Sequence, residues 1–297
     1  MFEILSDFLK TQDVEYALDA RLCNISPIKI GGKACCLVYP GSRVALINLL
    51  KFLREHKFGY KIFGRMSNVL LVREYYDTVV IRTDRLHSYS VDNEILSAEC
   101  GLLLASAAMQ LAELGYGGIS ELCGIPGSIG GLVRTCAGAY GKDISDILLS
   151  IDVYDPVNNI CYEIGREDIA FSYRHCPLDE SLAVLGAKIR LSKDSPEKIK
   201  AEISNFRHRR ASAQPTSSLT LGSTFKRPSG AYAAQLIDEA GLKGRSVGGA
   251  VISEKHAGFI VNSGCATAQD VLSLMDIAAK EVYSRYVIRL EPEIEMF

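Results

Sequence analysis

Two stretches of the 297-residue chain have the composition of anion-binding turns: GRMSN (Gly64, Arg65, Met66, Ser67, Asn68) and IPGSIGG (Ile125, Pro126, Gly127, Ser128, with Gly130 and Gly131). Without a Cβ in the way, backbone N–H groups approach a ligand closely, which suits phosphate oxygens. Neither stretch fits G-x-G-x-x-G, and no G-x-x-x-x-G-K-[ST] string occurs. A Rossmann dinucleotide site and a P-loop therefore lose their main warrant. Taken singly, each turn also reads as a tight structural loop. Two in one chain, flanked by strands, favour a pyrophosphate cofactor lying between two subdomains.

Three further clusters carry charge. FSYRHC sets Tyr173 beside Arg174 shortly before Pro177, and GSTFKRP gathers Ser223, Lys226 and Arg227 after a polar loop. Lys supplies a point charge and Arg a bidentate fork, so these groups suit anionic ligands. Their ordinary alternatives are a surface arginine with a packed tyrosine and a solvated basic corner. LEPEIEMF places Glu291 and Glu293 on one face of an extended segment, with Pro292 keeping it off a central strand position. Two exposed acids at a frayed terminus are the default reading there. The five histidines show no metal-ligand spacing, so no metal is expected. Cys123 and Cys136 lie in the glycine-rich stretch as small buried hydrophobes rather than nucleophiles.

The elements that must position these residues are partly legible. A helix is expected over about 2–10 and a strand in ACCLVY. Ser42 caps a helix in RVALINLLKFLREHKF, whose Leu46, Leu49, Leu50 and Leu53 recur on one face. YKIF reads as a strand leading into GRMSN, with another apolar strand after the turn. Over 76–192 the strand-like segments are VVIRT, ILSAECG, ILLSIDVYDP, ICYEI and AVLGAKIRL, with a hairpin turn at Asp155–Asn159 and one helix near 102–115. Residues 115–141 form a glycine-rich connection whose length argues for function. A charged helix, SPEKIKAEISNFRHRRAS, precedes a C-terminal part with helices near 230–240, closed by Gly241, and 267–285.

Composition bounds the rest. With 48% hydrophobic and 23% charged residues, the chain is a folded globular protein of about two or three domains. A formal charge of −2 is a poor footprint for a nucleic-acid binder, and no nucleic-acid partner is expected. Nine scattered cysteines with no C-x-x-C pair argue against a disulfide framework and for a reducing cytoplasm. No signal peptide is legible at the N-terminus, and no apolar run reaches the ~18 residues of a membrane span.

NISPIKIGGKA, GRMSNVLL, GISELCGIPGSIGG, AGAYG, SYR, QPTSSLTLGSTFKRP, AAQLIDEAGLKGRSVGGAVISEKHAGFIVN and LEPEI, in this order, resemble the UDP-N-acetylenolpyruvoylglucosamine reductase (MurB) family over nearly the whole chain. Its form lacking an extra tyrosine-bearing loop is the closer match. The resemblance implies an α+β fold: two FAD-binding subdomains of the vanillyl-alcohol-oxidase (PCMH) type, at 1–75 and 76–195, and a small α/β substrate-binding domain at 196–297. It implies noncovalent FAD, held by the two glycine turns, NADPH as hydride donor, and a UDP-sugar substrate bound by a monomeric enzyme of peptidoglycan synthesis. Tyr173, Lys226 and Arg227 would meet the substrate. Ser223 would protonate the intermediate formed on hydride addition, and Arg174 and Glu293 would stabilise it.

Residue chemistry supports this division. Hydride arriving at the β-carbon of an enol ether that bears a carboxylate leaves charge on the α-carbon and carboxyl oxygens, where a cation such as Arg174 helps most in the transition state. A hydroxyl placed at the α-carbon of so basic an intermediate can deliver its proton, as Ser223 would. Glu293 is expected to be protonated or to act through a hydrogen-bonded partner. The chain departs from the family pattern at Met66, where a glycine is usual, and at Cys136 and Arg227, where asparagine is usual; Cys176 replaces a common serine. Two rival readings are an oxidoreductase of the same flavin fold with a different substrate, and a nonenzymatic nucleotide-sugar-binding protein.

Overall fold

The computed structural model describes residues 2–12 and 14–297. The chain divides into two compact units: one holds residues up to Ala20, Cys35–Arg65 and Asp77–His208, the other Arg21–Ala34, Met66–Tyr76 and Arg209–Phe297.

The first unit contains two hydrophobic cores. In one, the helix Arg43–Glu55 buries Leu46, Leu49, Leu50 and Leu53, each 0% exposed, among Val38, Val79 and Ile81. Full burial of one such leucine contributes about 1.5–3 kcal/mol. Ser42 caps the helix by accepting a hydrogen bond from the Ala45 N–H at 3.1 Å. The sheet beside it has the strand order Glu15–Arg21, Lys33–Tyr39, Tyr75–Arg82, Tyr60–Phe63, with the last two parallel. The strand expected in VVIRT thus begins at Tyr75 and joins the sheet of ACCLVY and YKIF. The sequence grouped it with the later strands, because an apolar run shows that a strand is buried but not which neighbour it pairs with.

Around the other core runs an antiparallel sheet ordered Ile160–Gly165, Leu148–Asp155, Ala183–Arg190, Ile95–Glu99, Tyr89–Asp92. The expected hairpin turn is closed by the Asp155 carboxylate, which accepts from the Val157 and Asn158 N–H groups at 2.7 and 3.1 Å. These bonds, that of the Asn158 side chain foremost, hold the Asp155 carboxyl below the usual carboxylate range. The helix Leu104–Glu113 packs Leu104, Ala108 and Leu111 into this core. The glycine-rich connection is not one loop, since it contains the helix Ile129–Arg134.

The second unit is a four-stranded antiparallel sheet ordered Leu219–Ser223, Phe259–Asn262, Ala250–Ile252, Ser246–Val247, with the helices Ala233–Glu239 and Ala268–Tyr286. Gly241, at φ +72°, ends the former helix, as its position predicts. Thr267 and Asp270 cap the latter reciprocally, Asp270 N–H to Thr267 Oγ1 at 3.1 Å and Thr267 N–H to Asp270 Oδ2 at 2.9 Å. The apolar strand expected after GRMSN shrinks to Val69–Leu70, which pairs in parallel with Glu295–Met296. Among the described residues, no helix is long and apolar enough to cross a membrane.

Candidate active site

Within the first unit the two glycine turns touch. A Cβ built on Gly64 would lie 2.1 Å from the Ser128 hydroxyl oxygen and 3.2 Å from its Cβ, so any larger residue must displace the Ser128 side chain. Ser128 precedes the helix Ile129–Arg134, is 1% exposed, and its hydroxyl has no hydrogen-bond partner among the described residues. Leaving a buried hydroxyl unpaired costs about 1–3 kcal/mol, and an acceptor such as a phosphate oxygen would recover it. Beside it the Ile129 and Gly130 N–H groups donate to Leu102 and Cys100 carbonyls, both at 2.8 Å, which fixes the loop. In the other turn, Arg65 lies 3.7 Å from Asp84, which also pairs with Arg82 at 2.7 Å.

Met66, the first residue of the second unit in this turn, has φ +54° and is 3% exposed. Left-handed backbone costs a non-glycine residue roughly 1–2 kcal/mol. Truncating a buried methionine costs about 2–5 kcal/mol. Burial therefore outweighs strain, and Met66→Gly is expected to lower the denaturation midpoint although it restores the family's usual residue. A raised midpoint in thermal or urea unfolding would show that strain dominates.

Tyr173 and Arg174 form the tip of a tight turn closed by Ser172 N–H to His175 O and His175 N–H to Ser172 O, at 3.0 and 2.9 Å. Arg174, at φ +55°, folds back so that Nη1 and Nη2 donate to the Cys136 and Gly138 carbonyls at 3.3 and 3.0 Å. Its guanidinium carbon lies 4.9 Å from the centre of the half-exposed Tyr173 ring. Thus SYR and AGAYG, far apart in sequence, form one structural group. Burial, then the Asp143 charge, pushes the Cys136 thiol up to about 11, and burial pushes Cys123 up to about 12. Both are protonated at neutral pH and unsuited to nucleophilic work.

In the second unit GSTFK runs antiparallel to LEPE: Glu293 N–H donates to Thr224 O and Lys226 N–H to Glu291 O, both at 2.9 Å. Half-buried Ser223 follows an irregular register around Gly222, whose φ is +83°, a local bend that re-aims the end of the strand. Lys226 Nζ lies 3.8 Å from Glu291, whose side chain is 76% exposed, a weak ion pair in solvent. The Arg227 guanidinium stacks 4.5 Å from the Tyr232 ring centre.

The C-terminus is not frayed, contrary to the default expectation. Phe297 N–H donates to Leu70 O at 3.0 Å, Val72 N–H to Phe297 O at 2.8 Å and Tyr76 Oη–H to Phe297 O at 2.5 Å, while the Phe297 and Tyr76 rings stack 4.7 Å apart. Thr224 escaped the sequence reading: it is 1% exposed and its hydroxyl has no partner among the described residues. Nothing in a lone threonine signals this.

The C-terminal domain model of UDP-N-acetylenolpyruvoylglucosamine reductase matches residues 214–297, and an FAD binding domain model matches residues 34–160. The UDP-N-acetylenolpyruvoylglucosamine reductase of Caldicellulosiruptor bescii is 40% identical over 97% of this chain and 92% of its own length. The chain belongs to the UDP-N-acetylenolpyruvoylglucosamine reductase family. A second reductase of this name, from Caldanaerobacter subterraneus, is 39% identical over 100% of this chain and 99% of its own. The crystal structure of the Thermus caldophilus reductase superposes with a TM-score of 0.81 at 30% identity, covering 96% of this chain and 98% of that one. Berberine bridge enzyme, at 15% identity and a TM-score of 0.50, shares the fold over 65% of this chain and 43% of its own. Fold and family together make this an α+β flavoprotein of the FAD-binding type, as the motifs imply.

Proposed function

We propose that this reductase-family chain uses NADPH and noncovalent FAD to reduce the enolpyruvyl group of UDP-N-acetylglucosamine enolpyruvate, giving UDP-N-acetylmuramate for peptidoglycan synthesis, as a cytoplasmic monomer. The observation that carries the reading is the likeness along both full chains to named reductases. We assign 1–75 and 76–195 to flavin binding and 196–297 to the substrate. The buried, unpaired Ser128 hydroxyl, held in place against the Cβ-free face of Gly64, fits a phosphate-bearing cofactor. Gly64–Asn68, Ile125–Ser128, Gly130 and Gly131 would hold FAD.

Bound FAD supplies the hydride relay from NADPH to the terminal vinyl carbon. The Ser223 hydroxyl gives its proton to the α-carbon, so one hydride and one proton add across the double bond, and solvent reprotonates the serine. Arg174 balances the charge that grows on the carboxyl oxygens. Glu293 helps to stabilise the same intermediate, while Tyr173, Lys226 and Arg227 meet the substrate's anionic groups.

The purified protein should be yellow, NADPH should bleach it, and the enolpyruvyl-UDP-sugar should restore the colour. Bleaching without restoration would favour an oxidoreductase with another substrate, and colourless protein that binds no added FAD would leave only the nucleotide-sugar-binding role. A finer check uses Gly64→Ala. The new methyl group forces the Ser128 hydroxyl aside, and losing a hydrogen bond to a charged acceptor costs about 1.5–3 kcal/mol. The FAD dissociation constant, measured by quenching of flavin fluorescence, is expected to rise roughly 10- to 150-fold.

A further inference from the structure

Glu293 is gripped at both ends of its own residue. Its N–H donates to the Thr224 carbonyl at 2.9 Å, immediately after Ser223, and its carbonyl accepts from the Asn68 side-chain Nδ2 at 2.8 Å. The Asn68 carbonyl in turn accepts from Glu295 N–H at 2.9 Å. Asn68 thus holds the strand at two points that flank Ile294, immediately after Glu293, across 225 positions of sequence. All of these residues lie in the second unit.

We propose that Asn68 is a positioning residue for Glu293: its side-chain amide, in the turn that family likeness assigns to the cofactor, fixes the direction of the glutamate used on the substrate. The inference rests on the role given to Glu293 under the proposed function. The geometry supplies the reason. With the peptide groups before and after Glu293 both bonded, its Cα–Cβ direction is restrained from both sides. Freeing the carbonyl lets the residue swing while the serine strand stays in place, and a misplacement of about 1 Å can cost on the order of 10²-fold in rate. An aspartate at 68 keeps the shape, cannot donate, and sets a negative oxygen against the Glu293 carbonyl. Alanine removes the donor without adding charge.

The test uses flavin-loaded full-length Asn68→Asp and Asn68→Ala, Glu293→Gln, and the double variants. Flavin content is read from the visible spectrum and each half-reaction by stopped flow. Reoxidation by the enolpyruvyl-UDP-sugar is expected to slow roughly 10- to 100-fold in both Asn68 variants, several-fold more than reduction by NADPH slows in the same flavin-loaded protein. In the Glu293→Gln background the Asn68 substitutions should add little further slowing, because both act through one side chain. Independent, multiplying effects would overturn the proposal while leaving Glu293's role intact. So would loss of flavin from Asn68→Ala, which would put the amide's main work at the cofactor. A Glu293→Gln enzyme with wild-type reoxidation would instead overturn the role of Glu293, and the proposal with it.

Discussion

Replacing Ser223 with alanine is expected to leave reduction of the bound flavin by NADPH within about twofold of wild type while slowing its reoxidation by the enolpyruvyl-UDP-sugar roughly 10²- to 10⁴-fold, the range of a lost proton transfer. The separation follows from where the hydroxyl acts. Hydride transfer from NADPH needs no proton at the sugar's α-carbon, so the first half-reaction has no use for Ser223. In the second, charge accumulates on that carbon until a proton arrives, and water must replace the missing donor. The main chain should not move: Ser223 pairs with Phe259, its neighbour Thr224 donates its N–H to Gly258 O at 2.8 Å, and the serine hydroxyl takes part in neither contact. Asymmetry between the half-reactions, read by single-turnover absorbance, is therefore the signature. Equal slowing of both would mean that alanine had disturbed the flavin's surroundings and that another group delivers the proton. Solvent deuterium sharpens the comparison, since reoxidation of wild type should show an isotope effect and reduction should not.

What could be read in the chain without coordinates divides along a physical line. Short-range signals were legible: a serine before a stripe of leucines gives the capped helix Arg43–Glu55, an Asp-to-Asn turn closes a hairpin, and Gly241 stops a helix. The strands Glu15–Arg21 and Tyr89–Asp92 went unseen: both lie at sheet edges, the first faces solvent along most of its length, and the second, although Tyr89 and Val91 alternate with Ser90 and Asp92, is only four residues long. Long-range pairing was invisible for a different reason. The contact of Gly64 with Ser128, the hold of Asn68 on Glu293 and the pinning of Phe297 by Tyr76 join residues whose types say nothing about partners so distant. The departures from the family pattern gain meaning only from backbone angles. Cys136 stands at φ +43°, a region in which asparagine is several-fold enriched, so the usual residue suits the turn and this chain holds a strained cysteine there. Met66 is the parallel case for glycine, with the difference that its side chain fills buried space.

Arg174→Ala should cost reoxidation roughly 10²- to 10³-fold, about what removing one preorganised donor from a developing oxyanion costs. The ground-state substrate already carries its carboxylate, so part of the loss appears as a raised KM; the remainder lowers kcat, because charge on the carboxyl oxygens grows as the hydride arrives. Lysine is the informative second substitution. The guanidinium reaches two carbonyls at once, those of Cys136 and Gly138, through separate nitrogens of one rigid plane. A lysine ammonium keeps the positive charge but has a single nitrogen on a flexible stem, so it cannot hold both carbonyls and also present a flat fork to a carboxylate. Arg174→Lys is accordingly expected to recover part of the KM effect and little of kcat, remaining roughly tenfold or more below wild type in reoxidation. The turn itself survives either change, since it is closed by the Ser172 and His175 main chains and lysine and alanine bear the same left-handed backbone as arginine. Stability measurements should confirm a denaturation midpoint close to wild type in both variants. Full kcat in Arg174→Lys would show that charge alone is needed, and that the two-carbonyl anchoring of the guanidinium serves the 136–138 loop instead of the reaction.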